Sequence, residues 1–263
     1  MGRRPALLPP TMTHKLQKDC VTHGVAIFDP HFPYEDKQSF KAVKQYVEDT
    51  RPDIIVIGGD VVDLDLISDK SKSRHVEGKR LKKQCEYASQ QLNELREFCD
   101  WMYVLEGNHD ERMERYIDDH PEVEGILEIP TMLKLAENNI KWVPSWRKGE
   151  VLTIGKANFI HGYTESKHHA AKTADDYGVN MLYGHCHDIQ SHSKVLHGDD
   201  STIMAQCCGC LCRYDMPYLR GKPTKWQQAF VDIWWRPNGQ FWHQVIPIFN
   251  HKFVVGGVEY GPV

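Results

Sequence analysis

Five short apolar runs in this chain each stop on side chains that bind metal, and that repeated ending constrains the fold more than any other feature. The plainest copy is Asp53-Ile54-Ile55-Val56-Ile57-Gly58-Gly59-Asp60-Val61-Val62-Asp63. A four-residue Ile/Val run reads as a strand buried on both faces. The two glycines let the backbone turn sharply as it leaves the sheet, which delivers Asp60 to the strand's carboxyl edge. Open α/β sheets bind their ligands there. Val25-Ala26-Ile27-Phe28 likewise runs into Asp29 and His31, and Met102-Tyr103-Val104-Leu105 passes through Glu106-Gly107 into Asn108 and His109. Ala157-Asn158-Phe159-Ile160 meets His161, and Met181-Leu182-Tyr183-Gly184 meets His185 and His187. Oxygen and imidazole donors are the ligands of hard or borderline divalent cations, so the five endings point to one shared site.

The 263 residues suffice for one large domain, expected over 21–263 behind a flexible tail of residues 1–20. A formal net charge of -4 gives no global attraction to polyanions, so a nucleic-acid partner would need a local basic patch. The opening Met1-Gly2-Arg3-Arg4 precedes an apolar stretch too short for a signal peptide. Gly2 is no myristoylation site, because Ala6 stands where serine or threonine is wanted. No apolar run approaches a membrane span. Eight cysteines without a secretory signal point to a reducing, cytoplasmic setting in which they stay thiols.

Local patterns predict the elements between the endings. Asp36 to Glu48 reads as a helix with Phe40, Val43 and Val47 on one face, ending before Arg51-Pro52. With the runs at Val25 and Ile54 it makes a βαβ unit with a parallel strand pair. A long helix from Val76 to Cys99 carries Leu81, Cys85, Ala88, Leu92, Leu95 and Phe98 in one stripe. Shorter helices are expected at Asp110 to Asp118, Leu133 to Asn138 and His168 to Tyr177, and the first strand near Val21. Trp142-Val143, Val151 to Ile154 and Ala157 to Ile160 suggest a second sheet, followed by a strand pair or longer over Val195 to Cys212. Asn238-Gly239 between aromatic-rich runs marks a hairpin.

Asp29-Pro30-His31, Gly59-Asp60, Gly107-Asn108-His109-Asp110, His161-Gly162 and Gly184-His185-Cys186-His187 resemble, in order and spacing, the motifs of the calcineurin-like metallophosphoesterases. The resemblance covers Val25 to His187. It implies an α/β fold, a four-layer αββα sandwich of two mixed sheets flanked by helices, with a binuclear metal centre between the loops. One metal would be held by Asp29, His31, Asp60 and His187, the other by Asp60, Asn108, His161 and His185, so that Asp60 bridges. Two cations about 3.5 to 4 Å apart need such a shared anion, and they lower the pKa of a bridging water from 15.7 toward ~7, making it the nucleophile. His109, bound to neither metal, suits the general acid, and Asp63 resembles the carboxylate that orients it. The ligand set admits Mn, Fe, Zn, Ni or Co, with manganese favoured.

Other residues carry two readings each. Arg112 and Arg115 could reach a substrate phosphate or pair with Glu111 and Glu114. His168, His169 and Lys172 either rim the pocket or sit on an exposed helix. Lys70 to Lys83 holds seven Lys or Arg against Glu77, which reads as a solvated face or as a phosphate-steering rim. Cys207-Cys208, Cys210 and Cys212 invite a structural zinc reading, whereas the alternation at 208, 210 and 212 fits small buried thiols on a strand.

Asp63-Leu64-Asp65 stands where the serine/threonine phosphatase branch has Asp-Arg-Gly, which argues against a protein phosphatase. The Cys-Leu-Cys stretch and Trp226-Gln227-Gln228-Ala229-Phe230 look similar to compact bacteriophage-encoded phosphoesterases. The expected activity is hydrolysis of phosphodiesters or small phosphoesters. A nuclease for short or single-stranded ends is the alternative enzyme, and a non-catalytic metal-bearing scaffold the alternative from another class.

Overall fold

The computed structural model describes residues 12–68, 79–196 and 201–262. In chain order the strands and helices are β1 (Met12–His14), β2 (Thr22–Ile27), α1 (Lys37–Thr50), β3 (Ile54–Ile57), α2 (Leu81–Arg96), β4 (Trp101–Leu105), α3 (Glu111–Asp119), α4 (Ile129–Met132) and β5 (Lys141–Val143). They continue as β6 (Leu152–Ile154), β7 (Ala157–Phe159), α5 (His169–Tyr177), β8 (Met181–Tyr183), β9 (Ile189–Leu196), β10 (Ser201–Cys208), β11 (Ala229–Trp235), β12 (Phe241–Pro247), β13 (Phe253–Val255) and β14 (Val258–Tyr260).

The strands form two six-stranded sheets and a small ribbon of β13 with β14. The first sheet runs β12-β11-β2-β3-β4-β5, and the second β1-β6-β7-β8-β10-β9. Both are mixed: β2 through β5 pair in parallel while β11 joins antiparallel, and in the second sheet β6 and β9 run antiparallel to β7 and β10. Because side chains alternate along a strand, each sheet buries both faces. Ala26, Phe28, Ile54, Val56 and Tyr103 meet Leu152, Ile154, Phe159, Leu182 and Cys208 between the sheets. The outer face of the first sheet packs Val25, Ile55 and Val104 against Phe40, Val43 and Val47 of α1 and Cys85, Ala88, Leu92 and Leu95 of α2. Ala174 of α5 covers Met181, Tyr183 and Cys207 on the outer face of the second sheet. The layers are therefore helix, sheet, sheet, helix, as expected. No helix among the described residues is long and apolar enough to cross a membrane.

Helix α1 starts where its cap allows: the Asp36 carboxylate accepts the Ser39 N–H at 2.9 Å, and Arg51, in the left-handed region, closes the other end before Pro52. The β2-α1-β3 unit is parallel, with Val25 opposite Ile55. The Asn238-Gly239 hairpin joins β11 to β12 with Trp235 opposite Phe241.

Four local expectations are corrected. The stretch read as a tail contains β1, which lies parallel to β6 as an edge strand, so ordered pairing begins well before Val21. Trp142 and Val143 belong to β5 at the edge of the first sheet, paired to β4, and not to the second. The short helix expected at Leu133 to Asn138 forms earlier, as α4, where Pro130 sits in the first turn and needs no N–H partner. Gly58 has no positive φ; Phe28 fills the space that its Cβ would take, so only Gly59, at φ 93°, serves the turn.

Candidate metal centre

The loops after β2, β3, β4, β7 and β8 open at the same edge and bring seven side chains together. Asp29, His31, Asp60 and His187 are buried, with ligand atoms all within 4.8 Å of one another. His31 Nε2 lies 3.2 Å from His187 Nε2 and 3.5 Å from Asp60 Oδ2, and His187 Nε2 lies 3.0 Å from Asp29 Oδ1. On the other side of Asp60, His161 Nε2 is 3.4 Å from the same Oδ2. The amide oxygen of Asn108 stands 3.0 Å from His161 Nε2 and 2.8 Å from His185 Nδ1. Asp60 thus borders both groups. Imidazole nitrogens that face one another across buried carboxylates need protons or cations between them, and this donor set fits divalent cations.

The far ring nitrogens are also held, which fixes how each imidazole points. Asp63 Oδ1 takes His31 Nδ1 at 3.0 Å, the Gly58 carbonyl takes His161 Nδ1 at 3.0 Å, and Cys212 Sγ lies 3.7 Å from His187 Nδ1. Trp226 packs edge-on to His187, with ring centroids 4.3 Å apart.

Convergence this tight bends the backbone. Asp29, His31, Asp60, His185 and His187 all adopt φ between 48° and 67°, a region that non-glycine residues rarely enter. Such strain concentrates where the surrounding structure dictates a side chain's aim. Gly184 meets the same crowding differently: a Cβ there would overlap the Asp29 carboxylate, whose Oδ2 also accepts the His185 N–H at 2.9 Å. Gly184→Ala is expected to cost about 1 to 3 kcal/mol of stability by overpacking and to weaken metal affinity together with the melting temperature. Unchanged values in thermal unfolding and metal titration would contradict this packing.

Asp63 serves two histidines. Its Oδ1 lies 3.1 Å from His109 Nδ1 as well as 3.0 Å from His31 Nδ1, and its backbone carbonyl takes His109 Nδ1 at 3.0 Å. Burial alone would raise the Asp63 carboxyl, but hydrogen bonds from His109 and His31 hold it well below the usual range. Arg112 donates to the Asp63 carbonyl at 2.6 Å and approaches His109 Nε2 at 3.0 Å; since a guanidinium only donates, that nitrogen accepts in this geometry. Asp110, next in sequence, is a residue whose role sequence reasoning missed. Its carboxylate accepts the N–H groups of Gly107, Val61 and Val62 at 3.0 to 3.2 Å, stitching the β3 and β4 loops together.

The charges of the polypeptide alone explain how these buried acids are tolerated. Burial would lower His161 and His187, yet Asp60 and Asp29 push His161 up to about 10 and Asp29 pushes His187 up to about 9. Burial holds His31 and His185 below the ordinary imidazole value. Raised in this way, the two imidazoles favour their protonated forms, and a cation bound there would displace those protons. Calorimetry in buffers of different ionisation enthalpy is expected to show proton release at pH 7.5 and affinity rising with pH; buffer-independent heats would contradict it. Without metal, the stability from these raised groups is fully present below the unfolded value of 6.5 and is lost as pH rises through about 9 to 10.

A cleft of about 590 Å³ opens from the metal-facing loops, lined by Asn108, Arg112, Arg115, Arg147, Tyr163 and His185 among others. Arg147 was not singled out from the sequence; it reaches Glu111 at 2.8 Å from the loop after β5. Arg115 donates to the Asn108 carbonyl at 3.3 Å. Of the other rim candidates, the structure turns one inward. His169 is fully buried, with Nδ1 on the Tyr183 hydroxyl at 2.7 Å and Nε2 toward Asp188, so it cannot touch a substrate in this cleft. His168 is exposed ahead of α5, and Lys172 pairs with Asp176. Of the basic run, residues 70–78 lie outside the described residues; Lys79 is tied to Tyr34 and Asp65, and Lys82 faces Glu86. Cys207, Cys208, Cys210 and Cys212 are buried and form no disulfide, but the expected strand stops at Cys208, the end of β10, so Cys210 and Cys212 lie beyond it.

The chain is similar to several known proteins. The Gene 54 protein of Mycobacterium phage L5 is 27% identical over 247 residues, covering 89% of this chain and 96% of that protein. Among solved structures, Vacuolar Protein Sorting 29 from Cryptosporidium parvum matches at 13% identity and a TM-score of 0.47, covering 93% of this chain and all of that one. YfcE, a phosphoesterase from E. coli, matches at 14% identity and a TM-score of 0.41 over 85% of this chain and 96% of its own. The family model for calcineurin-like phosphoesterases matches residues 25–238, from β2 to the hairpin after β11, and the chain belongs to that family.

Proposed function

We propose that this chain is a hydrolase that cleaves phosphodiesters or small phosphoesters with two divalent cations, manganese favoured. Asp29, His31, Asp60 and His187 would hold one cation, and Asp60, Asn108, His161 and His185 the other. When bound, such a pair polarises a water for attack on phosphorus and offsets the charge that develops on the phosphoryl oxygens. The observation that carries the reading is the meeting of seven donor side chains from five distant loops around the Asp60 carboxylate.

The remaining steps belong to the chain's own residues. Asp63 aims His109 by its Nδ1, leaving Nε2 toward Arg112 at 3.0 Å and Asp60 at 4.0 Å. A phosphate arriving in the cleft competes for the Arg112 guanidinium by charge-assisted hydrogen bonds. Once Arg112 turns to it, His109 Nε2 is open to take up a proton and donate it to the departing oxygen. Arg115 and Arg147, on the same cleft, add positive charge where an anionic substrate enters.

Turnover of the metal-reconstituted chain on a panel of mono- and diesters tests this reading. Hydrolysis that depends on added metal supports it, and metal uptake with no turnover on any ester would favour a scaffold. The three arginines of the cleft are the specific observation for the nuclease alternative. Ionic strength separates the two: contacts to several phosphates give a steep loss of affinity with salt, whereas one small ester gives a shallow one.

A further inference from the structure

We propose that His169, Cys186, Asp188 and Cys207 form a separate mononuclear zinc site beside the candidate centre. All four are buried, and their ligand atoms lie within 4.8 Å of one another. They come from three elements: His169 opens α5, Cys186 and Asp188 lie on the loop after β8, and Cys207 is on β10. That loop has a two-sided pattern. His185 and His187 reach Asn108 and Asp29, while Cys186 and Asp188 turn toward α5, where Cys186 and Cys207 share a core with Ala174 and Tyr183.

The ligand chemistry selects the metal. Two sulfurs, one imidazole and one carboxylate make a four-coordinate set, and thiolates favour zinc over the manganese or calcium that oxygen donors hold. The surroundings are prepared for it. The Tyr183 hydroxyl engages His169 Nδ1 at 2.7 Å, which leaves Nε2 for the cluster. Asp188 is 6% exposed and its Oδ1, 3.0 Å from His169 Nε2, has no hydrogen bond among the described residues. A buried, under-satisfied carboxylate oxygen of this kind calls for an ion or other missing partner. Two thiolates and a carboxylate exceed a divalent cation by one negative charge, and Lys225 Nζ, 2.7 Å from Asp188 Oδ2, supplies the balance.

The Cys186 and Cys207 thiols donate hydrogen bonds to the carbonyls of Thr164 and Gly184, and loading would release their two protons to solvent. The bound zinc would tie α5 and β10 to the loop that carries His185 and His187, and so hold those imidazoles in place. The two cysteines of this site, Cys186 and Cys207, do not have the short spacing that sequence reading looks for: they are twenty-one positions apart and are brought together by the pairing of β8 with β10.

X-ray absorption on the full chain, purified under reducing conditions and dialysed against excess manganese, tests the proposal. The expected result is one retained zinc per chain with two sulfur neighbours at about 2.3 Å, a signature that the oxygen and nitrogen donors around Asp60 cannot produce. Cys207→Ser, with its far-ultraviolet circular dichroism unchanged, is expected to lose zinc affinity at least ~10-fold. The wild-type spectrum decides the matter if that variant does not fold. Zinc with only oxygen and nitrogen neighbours, no retained zinc, or a Cys186–Cys207 disulfide in the freshly purified chain by mass spectrometry would each overturn it.

Discussion

Replacing Asp60 with asparagine is expected to lower metal-dependent turnover by about 10³-fold or more, the scale of removing a central preorganised electrostatic group, while leaving the fold intact. The substitution keeps the shape and an oxygen, so the acceptor for the His109 N–H, 2.7 Å away, can survive. What goes is charge at a carboxylate oxygen that lies 3.5 Å from His31 and 3.4 Å from His161, between the two donor groups. Burial opposes that charge, but His161 and His109 hold the carboxyl well below its usual range, so the site is built around an anion. Two cations sharing a small space repel, and a neutral amide cannot offset that. The check is kcat/KM at saturating manganese beside metal stoichiometry and circular dichroism. Activity within about tenfold of the original, a loss of only ~1.4 kcal/mol in transition-state stabilisation, would remove Asp60 from the shared position.

His109→Ala should separate substrates by their leaving groups. General acid catalysis contributes about 10²- to 10⁴-fold, and it matters where the departing oxygen is basic. The loss is therefore expected to reach that range on alkyl esters and to be much smaller on p-nitrophenyl esters, whose leaving group departs without a proton. Asp63 aims His109, whose Nε2 lies 4.0 Å from Asp60 Oδ2, a placement that suits the proposed role. Its removal also frees Asp63, which still holds His31, so metal content should change little. Equal losses on both substrate types would make His109 a structural residue.

The candidate site was legible because its chemistry sits at strand ends, where an apolar run, a glycine and a carboxylate or imidazole leave a mark within a few residues. The same holds for α1, whose cap Asp36 and closing Arg51-Pro52 are local, and for the Asn238-Gly239 turn. What the sequence did not reveal depends on long-range partners. Met12–His14 has no apolar pattern and becomes a strand only because β6, distant in the chain, lies alongside it. Trp142-Val143 reads as a strand in either sheet, and the edge of β4 decides which. Asp110 looked like one more helix-opening acid, yet it holds three backbone N–H groups of two loops. Standing between ligand strands, His169 reads as a rim residue or as part of an exposed helix, whereas the start of α5 turns it inward onto Tyr183 and Asp188. Nothing in a helical pattern distinguishes those two directions without the neighbouring strand.

Crystals of the chain supplemented with manganese, measured near the manganese absorption edge, test the central claim most directly. The account predicts two anomalous peaks about 3.5 to 4 Å apart, one among Asp29, His31, Asp60 and His187 and one among Asp60, Asn108, His161 and His185. A map with no peak there, or with a single peak that leaves either donor group unused, would contradict it.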